Sequence, residues 1–309
     1  MSESININGH TIELSRQDKI FYPEVGITKG DVVNYYRRLS EIMLPHMEGR
    51  PLTMQRFPDG IEAGGFYEKA APDYFPKWIR RVKIMVEEKG QKQEQITCED
   101  TATLVYLANQ ACLTPHIWLS RADKLDHPDK LIFDLDPSNH DFEPIRQTAL
   151  DFQDLLEEIG LVPYVMTTGS RGVHVVAPLE RSATFDTVRK FVRDVADVLA
   201  NRHPDRLTVE QRKEKREGRL FLDYLRNAYG QNSVAPYSLR ARPEAPIATP
   251  LDWSELHNTD LHSQSYTIDN IFRRMGQKKD PWRDFRQDKR SLGQARQKLD
   301  GLKEKETST

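Results

Sequence analysis

The chain is short of several things. It has two cysteines, Cys98 and Cys112, in 309 residues and no CxxC pair, so it offers neither a disulfide framework nor a zinc knuckle. A reducing, cytosolic compartment is the expectation that follows. No run approaches the roughly 18 to 20 consecutive apolar residues of a membrane span, and the opening Met1-Ser2-Glu3-Ser4 is not the basic-then-apolar start of a signal peptide. The expected protein is soluble, cytoplasmic and without a membrane partner. There is also no excess of one charge: 45 Lys and Arg stand against 47 Asp and Glu, a formal net of -2, which gives no global attraction to nucleic acid.

What is present is ordinary globular composition, with 38% hydrophobic and 30% charged residues. That length suggests about two domains or one two-lobed domain. The near-neutral total hides an asymmetry. Residues 273–306 hold 12 basic and 6 acidic residues, net +6, so residues 1–272 carry -8.

The middle of the chain is the most legible part. Leu131 to Asp136 alternates like a strand and stops at Pro137, and Ile145, Ala149, Phe152, Leu156 and Ile159 form a helical stripe closed by Gly160. Strands are expected at Val162 to Met166 and Val173 to Ala177, a helix at Thr184 to Leu199 and a strand at Arg219 to Tyr224. The series is strand, helix, strand, strand, helix, strand, the split βαβ of ferredoxin-like modules. In that topology the first strand is flanked by the third and fourth. Upstream, helices are expected after Thr28 to Asp31 and over Thr101 to Leu113.

The topology gathers Asp134, Asp136, the turn before His174 and Asp223 onto neighbouring strands, although 89 positions separate the first from the last. Asp134 and Asp136 are two apart on a strand, so they share a face. Carboxylates so placed can grip hard cations such as Mg²⁺ or Mn²⁺, with Asp223 as a third ligand. The plainer alternative is a strand that ends in solvated carboxylates. Thr168-Gly-Ser-Arg-Gly-Val-His174 sets Ser170, Arg171 and His174 in a Gly-flanked turn suited to a phosphate tail; alone it also fits a hairpin turn with a half-buried His. A Ser170–His174 hydrolase triad is disfavoured, since GxSxG is absent.

Arg216 and Arg219 precede Asp223, and Arg240 and Arg242 follow in SLRAR, cations suited to a triphosphate, whereas Arg212 and Lys213 look like a solvated face. Near the start, Lys19 and Lys29 bracket Phe21-Tyr22-Pro23, and Arg50, Arg56, Phe66 and Tyr67 lie further on. Cations interleaved with aromatic faces suit a frayed nucleic-acid end.

Three long stretches then match a known family: FDLDPS at 133–138, TGSRGVHVVAPL at 168–179, and RLFLDYLRNAYGQNSVAPYSLRARPEAPIATPLDW at 219–253. Together with DKIFYP, RPLTMQRFPDG, HIWLSR and HPDKLIFDLDP they resemble the polymerase domain of bacterial and archaeal ligase D, a branch of the archaeo-eukaryotic primase superfamily. The resemblance runs from about Asp18 to about Pro281. It implies an α/β (α+β) two-lobed primase-like fold: an N-terminal mixed lobe over 1–125, a catalytic core with a ferredoxin- or RRM-like sheet over 126–272, and a charged C-terminal tail over 273–309, of which only the KEKETST ending suggests fraying.

The implied activity is a DNA-directed nucleotidyltransferase of non-homologous end joining, adding NTPs, and dNTPs less well, to broken 3′ ends with two divalent ions, Mn²⁺ or Mg²⁺. By resemblance Asp134, Asp136 and Asp223 are the metal ligands and catalytic residues. His116, Ser170, Arg171, His174, Arg216, Ser238 and Arg240 fall on the nucleotide, and Lys19, Lys29, Arg56, Phe66 and Tyr67 on DNA and its 5′-phosphate. Gln55 stands where relatives carry a second basic residue, Thr114 replaces a frequent Glu, and Arg226 sits where Gln is common. The sequence looks like a stand-alone version, with a separate ATP-dependent DNA ligase and a Ku-type protein as implied partners. A de novo primase and a non-enzymatic end-bridging module are the alternatives.

Overall fold

A computed structural model describes residues 3–86, 91–137 and 141–307. Ser138, within the quoted FDLDPS stretch, lies outside them. The chain divides into two compact units: residues 1–123 joined by 232–248 and 266–273, and residues 124–231 joined by 249–265 and 274–309.

In the first unit, a helix spans Lys29–Met47 because Thr28 caps it. The Thr28 hydroxyl accepts the Asp31 N–H at 3.1 Å while the Asp31 carboxylate accepts the Thr28 N–H at 2.8 Å. Its inner face buries Val32, Leu39, Met43 and Met47, each contributing about 1.5–3 kcal/mol. It packs on a second helix, Thr101–Asn109. That element ends sooner than expected, because Ala111 takes a positive φ of 62° and turns the chain into a strand, Cys112–Trp118. This strand pairs antiparallel with Leu52–Arg56 on one side and Asn232–Val234 on the other; Phe66–Glu68 forms the far edge of the sheet.

The second unit is built on the antiparallel order Lys130–Leu135, Val173–Pro178, Tyr164–Thr167, Pro250–Leu251. Helices Glu143–Glu158 and Phe185–Arg202 both contact this sheet. The aromatic rings of Phe133 and Phe152 stack there at 4.1 Å.

Two expectations need correction. The fourth strand is not a full ladder: only Leu220–Phe221 is extended, and it pairs in parallel with Leu207–Thr208. Contact with the first strand survives as an isolated Asp134–Asp223 bridge, the Asp134 N–H donating to the Asp223 carbonyl at 3.1 Å. Residues 232–248, expected in the catalytic core, belong instead to the first unit, because Asn232–Val234 pairs with the strand carrying His116.

The C-terminal segment, whose order the sequence leaves open, is folded. Leu292–Thr307 is a helix that buries Leu292, Ala295 and Leu299, while Arg296 and Lys303 reach Asp194 at 2.6 and 3.2 Å and Arg202 reaches Glu306 at 2.7 Å. Ahead of it, Trp282 donates its indole N–H to the Val165 carbonyl at 3.1 Å. Among the described residues, no helix is long and apolar enough to cross a membrane.

Candidate active site

Asp134 and His174 face one another across the register of the first two strands of the second unit's sheet. Directly opposed side chains on one sheet face are close enough to interact. The Asp134 Oδ1 lies 3.3 Å from His174 Nε2, and both side chains are almost wholly buried. The Arg226 guanidinium donates through Nε to the other Asp134 oxygen.

Asp136 follows at the strand end. Its carboxylate lies beside the turn at 168–172, which closes through the Thr168 N–H and Gly172 carbonyl at 2.9 Å, with Thr168 Oγ1 accepting from the backbone of Ser170 and Gly172. Position 172 must be glycine: a Cβ there would meet the Leu135 carbonyl at 1.9 Å and Asp136 Oδ1 at 2.7 Å. Arg171, at the tip, approaches Asp136 at 3.4 Å in an exposed pair.

Asp223 completes the set from the chain that bridges to Asp134, its Oδ1 accepting the Leu225 N–H at 2.8 Å. All three carboxylates line one cavity of about 500 Å³. Arg171, Lys213, Arg216, Arg219 and Arg226 line the same cavity. Arg216 is held over the Phe221 ring, 4.2 Å from its centre, by bonds from its guanidinium to the Glu210 and Gln211 carbonyls.

The electrostatics follow from this crowding. Burial alone would raise the Asp134 carboxyl, but His174 and then Arg226 more than offset it and hold the group well below the usual carboxylate range. Asp136 is raised, first by burial and then by the charge on Asp134. Asp223 is raised too; burial dominates, the Leu225 N–H opposes it, and Asp134 adds to it. Two of the three carboxylates therefore resist ionising beside the third, and a cation would relieve them.

The donor set, three carboxylates on adjoining backbone, fits a hard divalent ion. Among the described residues, no group of three His, Cys, Asp or Glu is closed on a common point. The Asp134 oxygens are turned to His174 and Arg226. His174 keeps one orphan, since its buried Nδ1 has no hydrogen-bond partner among the described residues; carrying a proton, it could donate to a phosphate oxygen.

The remaining expected residues lie in the first unit. His116 is on the Cys112–Trp118 strand with the Tyr67 ring edge-on at 5.6 Å, and the buried Ser238 hydroxyl donates to the Pro115 carbonyl at 3.3 Å. The Arg240 carbonyl accepts the Tyr22 hydroxyl at 3.1 Å. Lys19 donates to the Pro58 carbonyl at 2.7 Å and pairs with Asp59. Lys29 is buried, and its ammonium donates to the Ser15 carbonyl and hydroxyl at 2.6 and 2.9 Å.

Arg56 is committed to Glu68, Tyr74 and the Gln110 carbonyl at 2.6–2.9 Å, while Phe66 and Tyr67 are exposed on the sheet's edge strand. Two site residues escaped the sequence reading. Lys213 lines the cavity instead of a solvated face, and Arg226 is the direct partner of Asp134. The second carried a signal, an Arg three positions after an expected ligand.

Residues 28–282 match the family described as LigD, primase-polymerase domain. The chain belongs to this family. The LigD multifunctional non-homologous end joining DNA repair protein of Mycobacterium tuberculosis is 33% identical over 265 residues, which are 82% of this chain and 34% of the relative. The bifunctional LigD of Bacillus subtilis is 31% identical over 276 residues, 89% of this chain and 44% of that one. The chain thus spans between a third and a half of the LigD proteins it matches. Among solved structures, the polymerase domain of Mycobacterium tuberculosis ligase D in complex with DNA superposes with a TM-score of 0.84 at 29% identity, covering 90% of this chain and 99% of that one. The primase-like fold expected from the motifs is therefore the fold of this LigD polymerase-family chain.

Proposed function

We propose that this chain is a DNA-end-extending primase-polymerase of non-homologous end joining, adding NTPs, and dNTPs less well, to a 3′ end on a template. The observation that carries the reading is the convergence of Asp134, Asp136 and Asp223 with five cations on one cavity. Asp134, Asp136 and Asp223 would hold two divalent ions, Mn²⁺ or Mg²⁺. Metal bound there supplies activation of the attacking 3′-hydroxyl and neutralisation of charge on the triphosphate.

The chain's own residues do the rest. Arg171, Lys213 and Arg216 offer donors to a triphosphate entering the cavity, and His174 Nδ1, when it carries a proton, is a further buried donor for one of its oxygens. Ser170 lies in the turn beside them, its carbonyl fixed by Ser263 Oγ at 3.0 Å and Gln264 Nε2 at 2.7 Å. Phe221 and the two backbone carbonyls orient Arg216 before substrate arrives, which lowers the cost of ordering it.

In the first unit, exposed Phe66 and Tyr67 offer stacking faces to template bases, and Lys19 and Lys29 a site for the downstream 5′-phosphate. A separate ATP-dependent ligase and a Ku-type protein would complete the joining reaction. The test is extension of a labelled 3′ overhang with NTP and Mn²⁺. Asp134→Ala with Asp136→Ala is expected to lower extension by about a thousandfold or more while DNA binding stays measurable. Retained extension would sink the assignment.

A further inference from the structure

Asp134 is the most deeply buried of the three carboxylates, and its two oxygens are divided between two partners. His174 is fixed in the sheet. Arg226 is not: its side chain is 40% exposed, it lies on the cavity wall, and its backbone follows the Asp223 turn. A guanidinium and a divalent ion compete for the same carboxylate oxygen, since each needs its lone pairs and they repel one another.

We infer that Arg226 is a built-in countercharge for Asp134, holding in the metal-free protein the carboxylate oxygen a divalent ion requires, so that metal loading displaces this guanidinium into the cavity. The inference rests on the reading of Asp134 as a metal ligand. It gives Arg226 a positioning role: it compensates a buried carboxylate until metal arrives. Once displaced, Arg226 stands on the wall with Arg171, Lys213, Arg216 and Arg219. There a triphosphate would favour it. Metal and nucleotide then assist each other's binding through one side chain, and by linkage the assistance is equal in both directions.

The experiment is a titration of Mn²⁺ alone into the nucleotide-free full chain, reading free Mn²⁺ by its electron paramagnetic resonance signal. Compared with the parent, Arg226→Gln is expected to bind Mn²⁺ about tenfold more tightly. Arg226→Lys, which keeps the charge on an unforked, shorter side chain, falls between the two. In thermal unfolding with EDTA, Arg226→Gln melts below the parent, and Mn²⁺ raises its midpoint by more than it raises the parent's.

Either variant binding Mn²⁺ no more tightly than the parent overturns the inference; if the Gln variant does not fold, the Lys variant alone decides. Asp134→Asn separates the two layers. If it weakens Mn²⁺ binding and the Arg226 variants do not tighten it, only the role of Arg226 falls. If it leaves Mn²⁺ binding unchanged, the reading of Asp134 as a ligand falls, and the role of Arg226 with it.

Discussion

Lys29 in the first unit and Asp134 in the second are buried to nearly the same degree, with 6% and 5% of their surfaces exposed, yet their charges are treated in opposite ways. Asp134 has two cationic partners and is held ionised. Among the described residues no carboxylate is paired with Lys29; it has two neutral oxygens of Ser15, and burial, then Arg16 and Lys19, push its ammonium down to about 8. Burial alone therefore does not mark a functional charge. A compensated charge must exchange its partner when a ligand binds, whereas an uncompensated one gains its first counter-charge from the ligand. On the proposed reading, Lys29 would be the side chain that responds most to an arriving phosphate, and Asp134 the one that couples arrival to displacement.

The comparison breaks most visibly at Asp134. Asp134→Ala leaves Arg226 and His174 without their shared partner and is expected to lower stability by about 2–3 kcal/mol, less than for a fully enclosed pair because Arg226 can turn to water. Urea unfolding measures it, and an unchanged midpoint would remove the distinction between the two sites. Lys29→Met is the converse. Removing an uncompensated buried ammonium leaves the melting temperature unchanged or raises it, while the preference for a 5′-phosphorylated over an unphosphorylated gapped duplex falls by about tenfold.

Titration sharpens the contrast. Burial lowers the Lys29 ammonium to about 8, so the 5′-phosphate preference proposed for the parent is expected to decline between pH 7 and pH 9. Lys29→Arg, always charged, holds a constant preference over that range. For stability the sign is opposite: the folded state binds fewer protons than the unfolded chain between the lowered value and the ordinary 10.5, so stability attributable to Lys29 rises with pH across that window. The smallest effect is expected at Lys19, whose exposed partner Asp59 already occupies it. Asp59→Asn removes the ammonium's counter-charge, leaving its bond to the Pro58 carbonyl, and is expected to strengthen 5′-phosphate binding by about twofold, measured by the same duplex titration.

How much of this was legible depends on distance along the chain. The Asp134–Asp136 pair and the 168–174 turn announce themselves because their chemistry falls within a few residues and the alternation around them reads as strand. Asp223 was placed beside Asp134 by topology alone, and correctly as neighbours, although a single bridge stands where a ladder was expected. Residues 232–248 were assigned to the wrong unit, because pairing between Asn232–Val234 and Cys112–Trp118 is non-local and leaves no local periodicity.

The C-terminal helix could have been seen. Leu292, Ala295 and Leu299 recur at helical spacing, but the charge of the surrounding segment drew attention away from them. In the sequence Arg226 stands out only as a departure from relatives. Its bond to a residue 92 positions earlier depends on how the Asp223 turn delivers it, which sequence spacing does not encode.

The central claim, that Asp134, Asp136 and Asp223 form a divalent-metal centre for nucleotidyl transfer, is tested most directly by anomalous diffraction at the manganese edge from crystals soaked with Mn²⁺ and a non-hydrolysable NTP. The account predicts manganese peaks about 2.0–2.4 Å from oxygens of these three carboxylates, with the triphosphate on the Arg171 and Arg216 side of the cavity and Arg226 turned away from Asp134. A nucleotide bound with no manganese at these residues, or manganese only elsewhere on the chain, would contradict it.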